Sequence, residues 1–231
     1  MNIEILQLVE GAKKATGLTV IIDVFRAFSV EAYVFDKGAK RIIPVGDVDH
    51  AYKLKEENPD YLLIGERNEQ MLPGFDFGNS PLQVIKHNFR GKTAVHTTSA
   101  GTQGIVNAVN ADEIITGSFV NAGAIVNYIK AKDPENVSLV CMGYSAKRPI
   151  EEDTLCAEYI KNSLTGKSSD FDSMVQTIRD TSGKRFFDPE KAAYNPPEDF
   201  HLCLNLNRFD FVIRADKNEE GLLTLNKIYL S

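Results

Sequence analysis

Three acid- and arginine-bearing pairs stand where short apolar runs end, and their types suit phosphoryl chemistry. Asp23 and Arg26 close the run at 18–24, Glu66 and Arg67 follow the run at 61–65, and Glu152-Asp153 open the helix-like stretch 151–162. Carboxylate oxygens in ones and twos, with water at the remaining positions, suit Mg²⁺. Asp23, Glu66, Glu152 and Asp153 are therefore candidate metal ligands. Arg26 and Arg67 can each clamp a phosphate or carboxylate through two N–H groups. Between these pairs runs Thr97-Thr98-Ser99-Ala100-Gly101-Thr102, a hydroxyl- and glycine-rich turn from strand to helix. Backbone N–H groups and the helix dipole there would hold an anion. Together these residues predict a phosphoryl-transfer site, where positioning and charge neutralisation supply most of the catalysis.

Each feature also has a purely structural explanation. Asp23 could cap the helix after it, and Arg26 could be a solvated helix residue. Glu66-Arg67 could be a loop ion pair worth little. Glu152-Asp153 could simply favour a helix dipole, and the 97–102 turn could be only a helix entrance. Cys141 lies inside an apolar strand and reads as a buried, inert thiol. His96 points opposite to Val95 and Thr97 by strand alternation and reads as structural.

These residues must be gathered by the elements that carry them. Runs at 18–24, 41–45, 61–65, 92–98, 113–116 and 137–142 read as strands. Helical patterns occupy 26–38 (stopped by Gly38), 48–57 (stopped near Pro59), 101–109, 121–132 and 151–162. Strands alternating with helices imply βαβ units and a three-layer α/β/α fold around a largely parallel sheet. In such a sheet the strand carboxyl ends share one edge, where ligands bind. Residues more than about 120 positions apart would then converge, including Ser118 and Asn121 after the fifth strand and Gly143-Tyr144-Ser145 after the sixth. Beyond Leu164 the texture changes. Residues 165–169 are a polar linker, 171–180 look helical, and Asn195-Pro196-Pro197 breaks the chain. Apolar stretches 202–206 and 209–213 predict a hairpin around Asn207-Arg208. Residues from about 165 read either as a C-terminal subdomain or as part of one domain. The triplet Gly183-Lys184-Arg185 could close over an anion.

Composition narrows the class. The 231 residues are 43 % hydrophobic and 25 % charged, ordinary for a globular chain. Lys plus Arg is 26 against 32 Asp plus Glu, a net charge of −6. That disfavours nucleic acid or an anionic membrane as partner, although a local arginine cluster and a metal can still receive a small anionic phosphate ester. Cys141, Cys156 and Cys203 are an odd number without C-x-x-C, so neither a disulfide framework nor a zinc knuckle is expected. Residues 1–10 alternate apolar and acidic side chains without a basic start, unlike a signal peptide. No apolar run approaches 18 residues. The cytoplasm is the default location, and a homodimer the expected assembly, symmetric dimers being the commonest oligomers. No G-x-G-x-x-G follows a strand, which disfavours a dinucleotide-dependent oxidoreductase, and Gly91-Lys92-Thr93 precedes a strand rather than a helix, which disfavours a P-loop ATPase.

Five ordered blocks resemble the 2-phosphosulfolactate phosphatase family, which is associated with coenzyme M biosynthesis. Ile21-Ile22-Asp23-Val24-Phe25-Arg26-Ala27 resembles its opening block, and Gly65-Glu66-Arg67 its second. Gly74-Phe75-Asp76-Phe77-Gly78-Asn79-Ser80-Pro81 resembles its most specific run. The turn at 97–102 and Glu152-Asp153 complete the set, and residues 199–211 resemble the family's tail. The resemblance implies an α/β/α phosphatase, Mg²⁺-dependent, acting on phosphate esters of 2-hydroxy acids such as 2-phosphosulfolactate. Carried over by position, Asp23, Arg26, Glu66 and Asp153 become catalytic. Arg26, Arg67, Asn79, Ser80, Thr98 and Gly101 become candidates for binding phosphate, carboxylate or sulfonate, and Thr97, Thr102 and Ser118, at the same strand ends, join the substrate-binding set. The chain departs from the family's pattern at Ser99-Ala100-Gly101, at Ala157-Glu158 and at Phe28, where a small hydroxyl residue is usual. These departures bear on substrate identity, and the altered turn leaves open a non-catalytic anion-binding or sensor protein. Haloacid-dehalogenase-type enzymes carry Asp-x-Asp after the first strand, whereas Phe25 stands two after Asp23. Asp23 is accordingly expected to be a ligand or general base rather than a nucleophile.

Overall fold

The computed structural model describes residues 1–217 and 221–230. The first half of the chain supplies β1 (Asn2–Gln7), α1 (Leu8–Lys14), β2 (Gly17–Ile22), α2 (Ala27–Asp36), β3 (Arg41–Pro44), α3 (Val48–Glu57), β4 (Leu62–Arg67), β5 (Gln70–Met71), α4 (Pro81–Val84), β6 (Thr93–Thr97) and α5 (Gly101–Asn107). The second half supplies β7 (Ala111–Gly117), α6 (Ala122–Lys132), β8 (Asn136–Cys141), α7 (Glu151–Leu164), α8 (Phe171–Asp180), α9 (Pro197–Cys203), β9 (Phe211–Lys217) and β10 (Leu223–Tyr229). All ten strands join one sheet in the order β1-β8-β2-β7-β9-β10-β3-β6-β4-β5. Among the described residues no helix is long and apolar enough to cross a membrane.

Alternation along the strands explains the three layers. In β2, Leu18, Val20 and Ile22 face a cluster shared with Ile125, Ile129 and Ile160 of α6 and α7, while Ile21 faces the opposite cluster, with Phe28 and Val34 of α2. In the other half, Ile43, Leu63 and Val95 face Ala51 and Leu54 of α3, whereas Ile42, Ile64 and Ala94 face α2. Both faces of these strands are covered, so they read as continuous apolar runs, as parallel strands do. Helix α2 is apolar on every side because it is enclosed: Ala27 through Phe35 are all buried. The chain leaves it through Gly38 at φ 93°, a left-handed position that favours glycine.

Two expectations need correction. Residues 202–206 and 209–213 do not form a hairpin. Leu202 and Cys203 finish α9, and Phe211–Lys217 pairs antiparallel with Leu223–Tyr229. Nor do the parallel strands all run one way. β7 pairs antiparallel with β9, β9 with β10, and β10 with β3. Three reversals leave the half containing β2, β7 and β8 opposed in sense to the half containing β3, β6 and β4. Five steps separate β2 from β6, and at about 20–25° per step the accumulated twist is ~100–125°. That rotation swings the second half around α2, so the carboxyl ends of β2 and β8 meet those of β4 and β6.

Candidate active site

The meeting point is a narrow polar cavity that opens to solvent. Asp23 stands past the end of β2, on the turn into α2. It is 5 % exposed, and its Oδ1 accepts the Ala27 N–H at 3.1 Å. Oδ2 remains toward the cavity, beside Gly101: a Cβ on Gly101 would lie 2.9 Å from it and 2.7 Å from the Ala27 Cβ. Gly101 therefore lets the start of α5 press against Asp23. Burial lifts the Asp23 carboxyl to about 7, opposed by the Ala27 bond and assisted by Glu66 and Glu152.

Asp153, in the first turn of α7, crosses to both neighbouring strand ends. Its Oδ1 accepts the Val24 N–H at 2.9 Å and its Oδ2 the Gly143 N–H at 2.8 Å. It clasps the ends of β2 and β8 together. Burial, then Asp23 and Glu152, pushes its carboxyl well up. Glu66, at the end of β4, does the same across the other half: Oε1 accepts the Ser99 N–H at 2.8 Å, and Oε2 accepts the Glu69 N–H at 2.8 Å and the Ser99 hydroxyl at 3.2 Å. Glu152 is buried, and its Oε2 has no partner. Burial raises its carboxyl, while Arg185 and the nearby Ser182 hydroxyl, which makes no aligned hydrogen bond, pull it back. Asn79 Oδ1, on the same wall, is likewise buried and unpartnered.

The cations are fewer. Arg26 is buried; its Nη1 donates to Tyr194 O at 2.7 Å and to Asp199 Oδ2 at 2.8 Å. Asp199 is itself fully buried, and its Oδ1 accepts from the Ser80 hydroxyl and the Leu82 N–H, each at 2.9 Å. Arg185 reaches the cavity from the 3₁₀ stretch Ser182–Phe187, 3.2 Å from Glu69 Oε1 and 3.6 Å from Glu152 Oε1, and lies against the rings of Phe25, Tyr144 and Phe186.

The predicted residues divide accordingly. Asp23, Arg26, Glu66, Asn79, Thr98, Glu152 and Asp153 line one cavity. Arg67 does not; it donates to Glu66 O, Gly46 O and Thr97 Oγ1, bracing the loop behind Glu66. Thr97 is the acceptor in that brace. Thr102 closes the turn by exchanging bonds with Thr98. Ser80 supports Asp199. Ser118 pairs with Ser29 at 2.6 Å below the first turn of α2. Three further lining or anchoring residues, Glu69, Arg185 and Asp199, stand outside the predicted site set, while Tyr144, expected at this edge after the sixth strand, lines the cavity. Asp199 carried a signal in the resemblance of the 199–211 tail, and Arg185 in the basic triplet at 183–185. His96 turns toward α2, where its Nδ1 lies 3.0 Å from Glu31 Oε1.

Among the described residues no three His, Cys, Asp or Glu side chains form a ready-made metal cage. The four predicted carboxylates line one cavity, with Asp153 and Glu66 engaged by backbone N–H groups. Mg²⁺ needs only one or two protein oxygens when water and phosphate complete its shell. The unpartnered oxygens of Glu152 and Asn79, beside an excess of buried acids, fit that lighter mode of binding.

The comparisons agree with this architecture. The family described as 2-phosphosulpholactate phosphatase matches residues 3–218. A probable 2-phosphosulfolactate phosphatase of Bacillus subtilis is 31 % identical over 95 % of this chain and 96 % of its own. One of Carboxydothermus hydrogenoformans is 34 % identical over 97 % of each chain, and one of Caldanaerobacter subterraneus subsp. tengcongensis is 32 % identical over 84 % and 85 %. By its full-length match and by the strand ends that carry its acids, this chain belongs to the 2-phosphosulfolactate phosphatase family.

Proposed function

We propose that this protein hydrolyses the phosphate monoester of a small 2-hydroxy acid, such as 2-phosphosulfolactate, with Mg²⁺. The observation that carries the reading is the polar cavity lined together by Asp23, Glu152, Asn79 and Arg26, in which Arg26 is fixed by Asp199 and the Glu152 Oε2 and Asn79 Oδ1 oxygens are unpartnered. Glu152 and Asn79 would hold the metal. When bound, it supplies positive charge to the phosphoryl oxygens. The chain's own residues do the rest. Arg26, fixed by Asp199 and Tyr194, orients the phosphate without paying for a mobile side chain. Thr98 adds a hydroxyl beside it. A carboxyl held near pH 7 suits proton transfer at neutrality. As water attacks phosphorus, its proton passes to Asp23 Oδ2. The bond from phosphorus to the ester oxygen breaks, and Asp23 returns the proton to the departing alkoxide. Asp153 and Glu66 hold the strand ends in register through backbone bonds rather than touching the ester.

The test is phosphate release from 2-phospholactate and phosphosulfolactate, with Mg²⁺ and with chelator. Metal-dependent release from either supports the reading. Folded protein that releases none, yet binds these esters, would instead be the non-catalytic anion-binding form.

A further inference from the structure

Outside the cavity lies a second, wider and more open groove, and its charge is inverted. The inner cavity is lined by five carboxylates and two arginines. The groove is lined by Arg148, Lys184, Arg185 and Lys191 against Glu69 and Asp188. The two spaces share Glu69, Tyr144 and Arg185, so one opens beside the other. Arg185 is the partition, and its charge is committed inward to Glu69 and Glu152. Arg148, Lys184 and Lys191 make no ion pair among the described residues; Arg148 only lies over the Tyr144 ring, at 4.9 Å. Three uncommitted cations together, on a chain of net charge −6, form a local field that attracts anions.

We infer that this groove is the subsite for the sulfonate of the substrate, the acid group at the far end of the molecule from the hydrolysed ester, and that Lys184 and Lys191 select for it. The inference rests on the phosphatase reading for its inner end. The physical logic is that the inner cavity is too acidic to welcome another anion. A ligand that carries a sulfonate as well as its phosphate therefore places the phosphate among Arg26 and the metal and extends the sulfonate outward, past Arg185, to the uncommitted cations. A monoester with a neutral tail gains nothing there.

Two measurements test this on the full chain. In the first, kcat/KM is determined for phosphosulfolactate and for a neutral-tailed monoester, phenyl phosphate, in wild type and in Lys184→Ala/Lys191→Ala. The ratio of the two esters should fall about 10- to 100-fold in the double variant, chiefly through KM, and the fall should shrink as salt rises. An unchanged ratio would overturn the subsite. In the second, sulfolactate and lactate are titrated calorimetrically. Tighter binding of sulfolactate that is lost in the double variant supports the groove; equal binding of both acids, or a preference that survives the substitutions, refutes it. The titration needs no turnover, so a wild type that releases no phosphate would sink the catalytic reading while leaving the groove to be judged by binding.

Discussion

Replacing Asp23 by Asn should make the metal-free protein more stable at alkaline pH while destroying activity. Burial raises the Asp23 carboxyl from its ordinary 3.8 to about 7. The folded chain therefore keeps a proton there that the unfolded chain releases between those values. Stability from this group is complete below pH 4 and is lost as pH climbs toward 7. At about 1.4 kcal/mol per pH unit, wild type forfeits ~2–3 kcal/mol between pH 5 and pH 8 through this residue alone. The Asn variant cannot ionise, and its side-chain oxygen can still accept the Ala27 N–H that now bonds Oδ1 at 3.1 Å. In chelator its melting temperature should match wild type near pH 4. It should exceed wild type by about 8–16 °C at pH 8, because ~4 kcal/mol is lost between pH 4 and pH 7 and each kcal/mol shifts a chain of this size by ~2–4 °C. Activity should fall at least about 100-fold if Asp23 moves the proton. The assay is thermal denaturation across pH 4–8 with EDTA, beside phosphate release. A difference in melting temperature that does not change with pH, or a variant less stable than wild type at pH 8, refutes the view that burial dominates this carboxyl.

Asp199→Asn leaves the buried Arg26 guanidinium, 5 % exposed, without its counter-charge; about 3 kcal/mol should be lost and kcat/KM should fall at least ~10-fold, and a melt within about 2 °C of wild type would contradict this. Mg²⁺ at about 100 times its dissociation constant should stabilise wild type by ~2.7 kcal/mol, and Glu152→Gln should abolish that rise in melting temperature; a rise retained in the variant removes Glu152 from the metal.

The legible part of the fold was the part written locally. Residues 18–24 are continuous, β-branched and short, and β2 occupies 17–22 of the chain. Gly38 marks the exit of α2. The alternation at 1–10, which speaks against a signal peptide, is also a strand signature, and Asn2–Gln7 is an edge strand beside β8. Pro197 acted as the first residue of α9, which drew Leu202 and Cys203 into a helix and displaced the hairpin. The reversal between half-sheets had no local sign, because nothing in β3 or β7 states its partner. The site shows the same division. Acids after strands are marked by position and Asp199 by the resemblance of the 199–211 tail, whereas Glu69 becomes recognisable only when folding sets it against Arg185. Arg67 follows a strand as Arg26 follows another, yet three acceptors lie beside it in the loop behind Glu66.

On the proposed function, the charge arrangement predicts that a cation and the ester enter together. Five carboxylates and two arginines line the cavity, and neither arginine is free: Arg26 is spent on Asp199, and Arg185 on Glu69 and Glu152. A dianionic phosphate entering alone would add charge to a site already unable to ionise all its acids. A cation entering alone would relieve Glu152 but leave its outer coordination to water. Each ligand therefore lowers the cost of the other, and linkage makes the benefit reciprocal: the factor by which the ester tightens the cation equals the factor by which the cation tightens the ester. The same excess of acid that costs stability in the empty fold is what makes the loaded one selective for a phosphate that arrives with its counter-ion.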